Sequence, residues 1–275
     1  MNILRKELHF THLLRKLSFF LLLISTVVTL LIWNNLNVIS AGARNPQSFK
    51  WSNVNIQGMG YVTGMSIASV KPYDVYVRTD VGGAYRFDRK NKKWLPLMDM
   101  FDTSFSGGGI GVESITTDPQ KPNRVYVAVK HGSSIITEHD RKKYKYSGEV
   151  FVSENRGNTW KPTGLGKKDI FLGANQKYRS DTGERLAVDP NQSDIIYFAS
   201  RRDGLWRKNG KQEWLKVSSG LPAAKSLPKY NKSDGKKNKD LPGFTFVAFD
   251  KNSGKANQAT KIIYVGVHGK GVWQS

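Results

Sequence analysis

The stretch RLAVDPNQSDIIYFASRRDGLWRKNGKQEWLKV, residues 185–217, decides how the rest of the chain is read. A short apolar run, LAV, gives way to an Asp-Pro-Asn turn, and a second run, IIYFAS, carries a tyrosine. After Asp-Gly a third run carries Trp206, and Gly-Lys leads on to a closing Trp214. Brief runs with period-two alternation, punctuated by Gly, Pro, Asn and Asp, predict antiparallel strands joined by tight turns.

The same pattern occurs three more times. It is found in SIASVKPYDVYVRTDVGGAYRFDRKNKKWLPL (66–97), in SITTDPQKPNRVYVAVKHG (114–132) continued by GEVFVSENRGNTWKPT (148–163), and in FVAFDKNSGKANQATKIIYVGVHGKGVWQS (246–275). Each unit places a tyrosine in its second strand (Tyr76, Tyr126, Tyr197, Tyr264) and an aromatic in its third (Tyr85, Phe151, Trp206, Trp273). The first three close on a tryptophan (Trp94, Trp160, Trp214). Repeats made only of strands predict propeller blades of four antiparallel strands each. The expected fold is therefore all-β: a partial β-propeller of three full blades plus most of a fourth, preceded by an N-terminal hydrophobic helix. The fourth unit stops short of an outermost strand. An open ring is expected, completed by a companion chain, by self-assembly or by sequence belonging to a longer enzyme.

Within the second unit, SENRGNTW (153–160) resembles the Asp-box, S-x-D-x-G-x-T-W, with Asn155 where aspartate is usual. Asparagine forms the same side-chain-to-backbone turn, so the box reads as a structural corner and not as a catalytic signature.

The first 43 residues read differently. Arg5, Lys6, Arg15 and Lys16 precede the uncharged run LSFFLLLISTVVTLLIW (17–33), and SAGA (40–43) offers small residues for cleavage. Basic, apolar and small-residue regions in that order predict an export signal; the length of the run also suits an uncleaved transmembrane anchor. Residues 1–43 are thus assigned to a signal peptide or membrane anchor and 44–275 to the propeller. A secreted or envelope location follows, with membrane contact through the N-terminal segment if it is retained.

The formal charge of +21 sits partly in that segment and partly in the lysine-rich runs DRKKYKY (140–146) and KSLPKYNKSDGKKNKD (225–240). Without apolar periodicity these read as solvated loops, suited to acidic polysaccharide or anionic lipid and not to nucleic acid, for which no motif is present. There is no cysteine, and the five histidines show no metal-ligand spacing, so neither metal nor cofactor is expected.

In VYVRTDVGGAYRF (75–87) a strand ends on Asp80 before Gly82 and Gly83. Either Asp80 opens the hairpin, or it is a carboxylate presented at a strand end for chemistry. Arg78, two residues earlier, shares its strand face and would favour the ionised form.

These segments, namely YVTGM (61–65), RTDVGGAYRFD (78–88), DPQKPNRVYVAV (118–129), GERLAVDP (183–190), YFASRRDGLWR (197–207) and IIYVGVHGKGVWQS (262–275), resemble in order the N-terminal propeller of glycoside hydrolase family 74. That family comprises the xyloglucanases and the oligoxyloglucan reducing-end-specific cellobiohydrolases. The resemblance implies two seven-bladed propellers with a β-1,4-glucan lying between them, cleaved with inversion by two carboxyl groups about 6.5–9.5 Å apart. It makes Asp80 the general base and puts the general acid in a second propeller, beyond this chain. Glu113 and Glu184 do not match the acid position. Tyr61, Arg78, Glu184 and Arg185 are the candidates for binding the glucan; Tyr85, whose counterparts recur in every blade, reads as core. An incomplete exported glucanase is one expectation. A non-catalytic envelope propeller that binds a glycan or protein partner is the alternative.

Overall fold

In the computed structural model, residues 24–26, 53, 55–58, 60–101, 110–130, 148–168, 170, 172, 183–227 and 243–275 are described. The chain divides into two units, Met1–Asn55 and Ile56–Ser275. Of the first, residues 24–26 form a helical turn, and the expected signal or anchor otherwise lies outside the described residues. Among the described residues no helix is long and apolar enough to cross a membrane.

Among the described residues the second unit shows four sheets, each antiparallel and each ordered as its strands occur in sequence. Blade 1 holds β1 (Val62–Ile67), β2 (Val75–Thr79), β3 (Ala84–Asp88) and β4 (Lys93–Pro96). Blade 2 holds β5 (Val112–Thr117), β6 (Val125–Lys130), β7 (Gly148–Ser153) and β8 (Lys161–Pro162). Blade 3 holds β9 (Leu186–Val188), β10 (Ile195–Ser200), β11 (Gly204–Asn209) and β12 (Leu215–Val217). Blade 4 shows β13 (Phe244–Phe249), β14 (Ile263–Val267) and β15 (Gly271–Gln274). Three full blades and three strands of a fourth match the expectation. The first strands β1, β5, β9 and β13 pack side by side in succession and form the inner wall.

Alternation along the second strands explains how blades stack, because successive side chains of a strand face opposite ways. Val125, Val127 and Val129 of β6 join Tyr76, Leu97 and Met98 in the cluster between blades 1 and 2. Tyr126 and Ala128 face the other way, into the cluster with Leu186, Ile196 and Phe198 of blade 3. In β10 the pattern repeats, with Ile195, Tyr197 and Ala199 packing against Phe244, Val247 and Val265 of blade 4. A strand buried on both faces reads as a continuous apolar run, which is how VYVAV and IIYFA look.

The closing tryptophans bridge blades. Trp160 is buried and donates its indole N–H to the Leu97 carbonyl of blade 1 at 2.9 Å, and Trp214 donates to Thr163 Oγ1 of blade 2 at 3.1 Å. The Asp-box corner forms with asparagine as anticipated: Asn155 Oδ1 accepts from the Thr159 amide at 2.9 Å and from the Ser153 hydroxyl at 2.9 Å.

The two ends of the blades differ. At one end each blade is tied to the next by an aspartate. Asp74 takes a bidentate contact from Arg156 at 2.5 and 2.6 Å, Asp118 accepts from Ser193 at 2.6 Å, and Asp189 accepts from the Thr260 amide at 2.8 Å. At the other end lie the C-termini of the second strands, and here the chain leaves the described blades at Phe101, Lys130, Leu172 and Leu227 and re-enters at Ile110, Gly148, Gly183 and Gly243. This second end is the mouth of the blades.

Truncating Trp160 to alanine is expected to lower unfolding free energy by about 3–5 kcal/mol, since an aromatic of this size leaves a cavity between blades. Trp160→Phe, which keeps most of the volume but strands the Leu97 carbonyl, should lose about 1–2 kcal/mol. Urea unfolding followed by tryptophan fluorescence would measure both.

Candidate active site at the mouth of the blades

Repeat register places Asp80 at the mouth, immediately after β2, and aligns it with Lys130, Arg201 and His268 of the following blades. Of the four it is the acid. The turn after β2 does not depend on it. Thr79 Oγ1 accepts from the Gly82 amide at 2.8 Å and donates to the Gly83 carbonyl at 2.9 Å, so threonine provides the polar closure of the hairpin. Gly83 has φ +82, a left-handed backbone that glycine adopts without strain, and its amide donates to the Ile110 carbonyl at 2.8 Å. The turn is thereby fastened to the entry of blade 2.

The Asp80 carboxylate instead accepts from the Tyr61 amide at 2.7 Å, while the Asp80 amide donates to the Tyr61 carbonyl at 3.2 Å. The carboxylate is held against the backbone just before β1 and is only 4% exposed. The Tyr61 side chain beside it is 57% exposed. A carboxylate with a fixed backbone donor next to an uncovered aromatic can pair an acid–base group with a sugar-stacking surface.

The remaining candidates separate by burial. Arg78 is 1% exposed: its Nε donates to Glu184 Oε1 at 2.8 Å and its Nη1 to Thr63 Oγ1 at 2.7 Å. Glu184 is one-third exposed along its side chain, and its Oε2 accepts from the Ser114 hydroxyl at 2.8 Å and the Ile115 amide at 2.9 Å. One carboxylate of blade 3 thus fastens blades 1 and 2. Gly64 is glycine because a Cβ there would lie 2.2 Å from Glu184 Oε1 and 2.6 Å from Arg78 Nε. Arg185 is fully buried, pairs with Glu113 at 2.8 Å and donates to the Phe244 carbonyl of blade 4. Glu113 also binds Arg201 at 2.7 Å. Arg78 and Arg185 therefore spend their guanidinium groups inside the protein, and Tyr61 and Glu184 are the binding candidates with surface to offer. Tyr85, 8% exposed, is core as read from its repeat.

The sequence reading did not find Thr79 as the closure of the turn, or the pairing of Arg78 with Glu184. The first was legible in principle, since a hydroxyl three residues before a glycine is a turn signal. The second joins residues 106 apart and leaves no local mark. Among the described residues no group of acidic and histidine side chains suits a metal ion.

The architecture and the Asp-box corner define a β-propeller of the Asp-box class. Its kinship is narrower. A xyloglucanase of a Paenibacillus species is 37% identical over 228 residues, covering 80% of this chain and 20% of that protein. The xyloglucanase Xgh74A of Acetivibrio thermocellus is 37% identical over 237 residues, covering 84% and 26%. Among solved structures, the family 74 xyloglucanase of Xanthomonas campestris superposes with a TM-score of 0.65 at 32% identity, covering 83% of this chain and 31% of that one. The family 74 enzyme of Niastella koreensis superposes with a TM-score of 0.60 at 32% identity, covering 81% and 29%. No protein-family model matches. The chain belongs to glycoside hydrolase family 74, as part of its N-terminal propeller region. It spans between a fifth and about a quarter of the length of the curated relatives just named.

Glu113 faces two buried guanidiniums, those of Arg185 and Arg201. Glu113→Gln is expected to cost about 3–5 kcal/mol, the usual consequence of breaking a buried ion pair from one side. Glu184→Gln should cost less, because water reaches that carboxylate. Chemical denaturation of both variants would test the order.

Proposed function

We propose that this chain carries the general-base half of an exported, inverting β-1,4-glucanase of xyloglucan type. Asp80 draws the proton from the attacking water, and a carboxyl group on further polypeptide protonates the leaving oxygen. Tyr61 stacks on a sugar ring and Glu184 accepts from its hydroxyls. The observation that carries the reading is the fastening of Asp80. The hairpin is closed by Thr79, while the carboxylate is fixed at the mouth beside an exposed aromatic. The similarity to xyloglucanases supports the substrate class. The N-terminal basic and apolar runs support export, and membrane contact where the segment is retained.

The 4% exposure of Asp80 favours a second reading, in which the mouth binds glucan without cleaving it. The deciding experiment adds the chain to a polypeptide supplying the second propeller of a family 74 enzyme and follows reducing-sugar release from xyloglucan. Hydrolysis that falls by about 10²–10⁴-fold in Asp80→Asn, with glucan affinity retained, supports the first reading. Binding without turnover in either form supports the second. Tyr61→Ala should weaken xyloglucan affinity by about three- to tenfold under both readings, as loss of one aromatic platform would. Titration calorimetry would measure it.

A further inference from the structure

Away from the mouth, the outer flank between blades 2 and 3 is hollowed into two adjoining chambers of about 560 and 420 Å³, which share Thr163, Lys208 and Lys211 in their walls. The larger is lined by the starts of β6 and β10 and the ends of β7 and β11, the strand ends opposite the Asp80 end. The two chambers together carry six cationic side chains and three carboxylates. The carboxylates are already engaged. Glu154 and Asp194 pair with Arg124 at 2.8 and 3.2 Å, and Glu213 pairs with Lys168 at 2.6 Å. Lys161, Lys167 and Lys211 are exposed, with no hydrogen-bond or ion-pair partner among the described residues.

Lys208 lines both chambers and donates to the Gln212 carbonyl, and burial pulls its pKa below the usual lysine range against the opposing pull of Glu149 and Glu213. An anion placed in the groove would offset that cost. The wall between the lysines includes Val152 and Pro162, which offer apolar surface to a sugar ring. The segment beneath is rigidly placed, since the buried Glu149 accepts from the Leu165 amide at 2.9 Å and the Gly166 amide at 3.2 Å. Lysines act as point charges on flexible stems, a match for carboxylates spaced along a chain more than for one bidentate group. A neutral glucan calls for none of this.

We propose that this groove binds an acidic polysaccharide, a polymer of uronate-bearing sugars, at a site separate from the mouth. Lys161, Lys167 and Lys211 supply the charge recognition and Lys208 sits at the centre. The groove would hold the protein on a charged matrix while the mouth stays open to another glycan.

The test is titration of the full chain with polygalacturonate, with neutral xyloglucan as competitor and inorganic polyphosphate as a second ligand. Expected are binding that weakens as salt rises, no competition by xyloglucan, and weaker binding of polyphosphate, which has no sugar face. The triple variant K161A/K167A/K211A should lose affinity by about tenfold or more at an unchanged thermal midpoint, because the three side chains are exposed. The single variant K211E should move the same way. The control K229A/K232A/K236A/K237A, in the lysine-rich run at 225–240, should lose less affinity than the triple variant although it removes one more charge. The proposal is overturned if the control carries the loss, if the groove variants bind as the parent does, or if polyphosphate binds as tightly as polygalacturonate. No turnover is measured, so the result is independent of the hydrolysis proposed for Asp80.

Discussion

A buried ionic chain along the inner wall is the constraint on which this structure depends. Glu113 of blade 2 holds Arg185 and Arg201 of blade 3, and Arg185 reaches the Phe244 carbonyl of blade 4. Arg78 of blade 1 meets Glu184, which in turn takes the Ser114 hydroxyl and Ile115 amide of blade 2. Such groups lose their hydration on burial, so they add little net stability over apolar substitutes. What they impose is register. The apolar clusters between blades are made of interchangeable valines, leucines and tyrosines, which a shifted stack would bury almost equally well. A blade displaced by one residue would leave a charge in the core without its counter-charge.

The mouth inherits its geometry from that chain. β2 carries Arg78 and ends next to Asp80, so anchoring the guanidinium to blades 2 and 3 also fixes where the carboxylate emerges. The Thr79 closure and the pairing of Gly83 with Ile110 remove what freedom is left. Arg78 thereby has a mechanical task, joining blade 1 to Glu184 and to the Val112 carbonyl.

The blades were legible because their causes are local. Tyr126 and Ala128 alternate with Val125, Val127 and Val129 within one strand, and the aspartates of DPQKP and DPNQS close their turns on amides two residues away. Even the exchange of Asp for Asn in the SENRGNTW corner could be judged from chemistry alone. The site was only partly legible. Asp80 and Tyr61 stood out through motif and position, but no spacing rule distinguishes a surface arginine from Arg185, whose burial depends on a glutamate 72 positions away and a carbonyl in the next blade. Arg78 and Arg185 stand beside the family motifs in sequence, and the folded chain holds both guanidinium groups in contacts between blades. The lysine groove was illegible for the same reason, since its walls come from two blades.

The blade connections are also unequal. Turns at the aspartate-tied rim are locked to their neighbours, as Asp74, Asp118 and Asp189 show, whereas the stretches that interrupt the described blades leave and re-enter them at the opposite rim. Lengthening a connection costs little free energy when its ends stay put. Residues can therefore be gained or lost around the Asp80 rim without loosening the struts beneath, which separates the part of the sequence free to vary in length from the part that sets the stack.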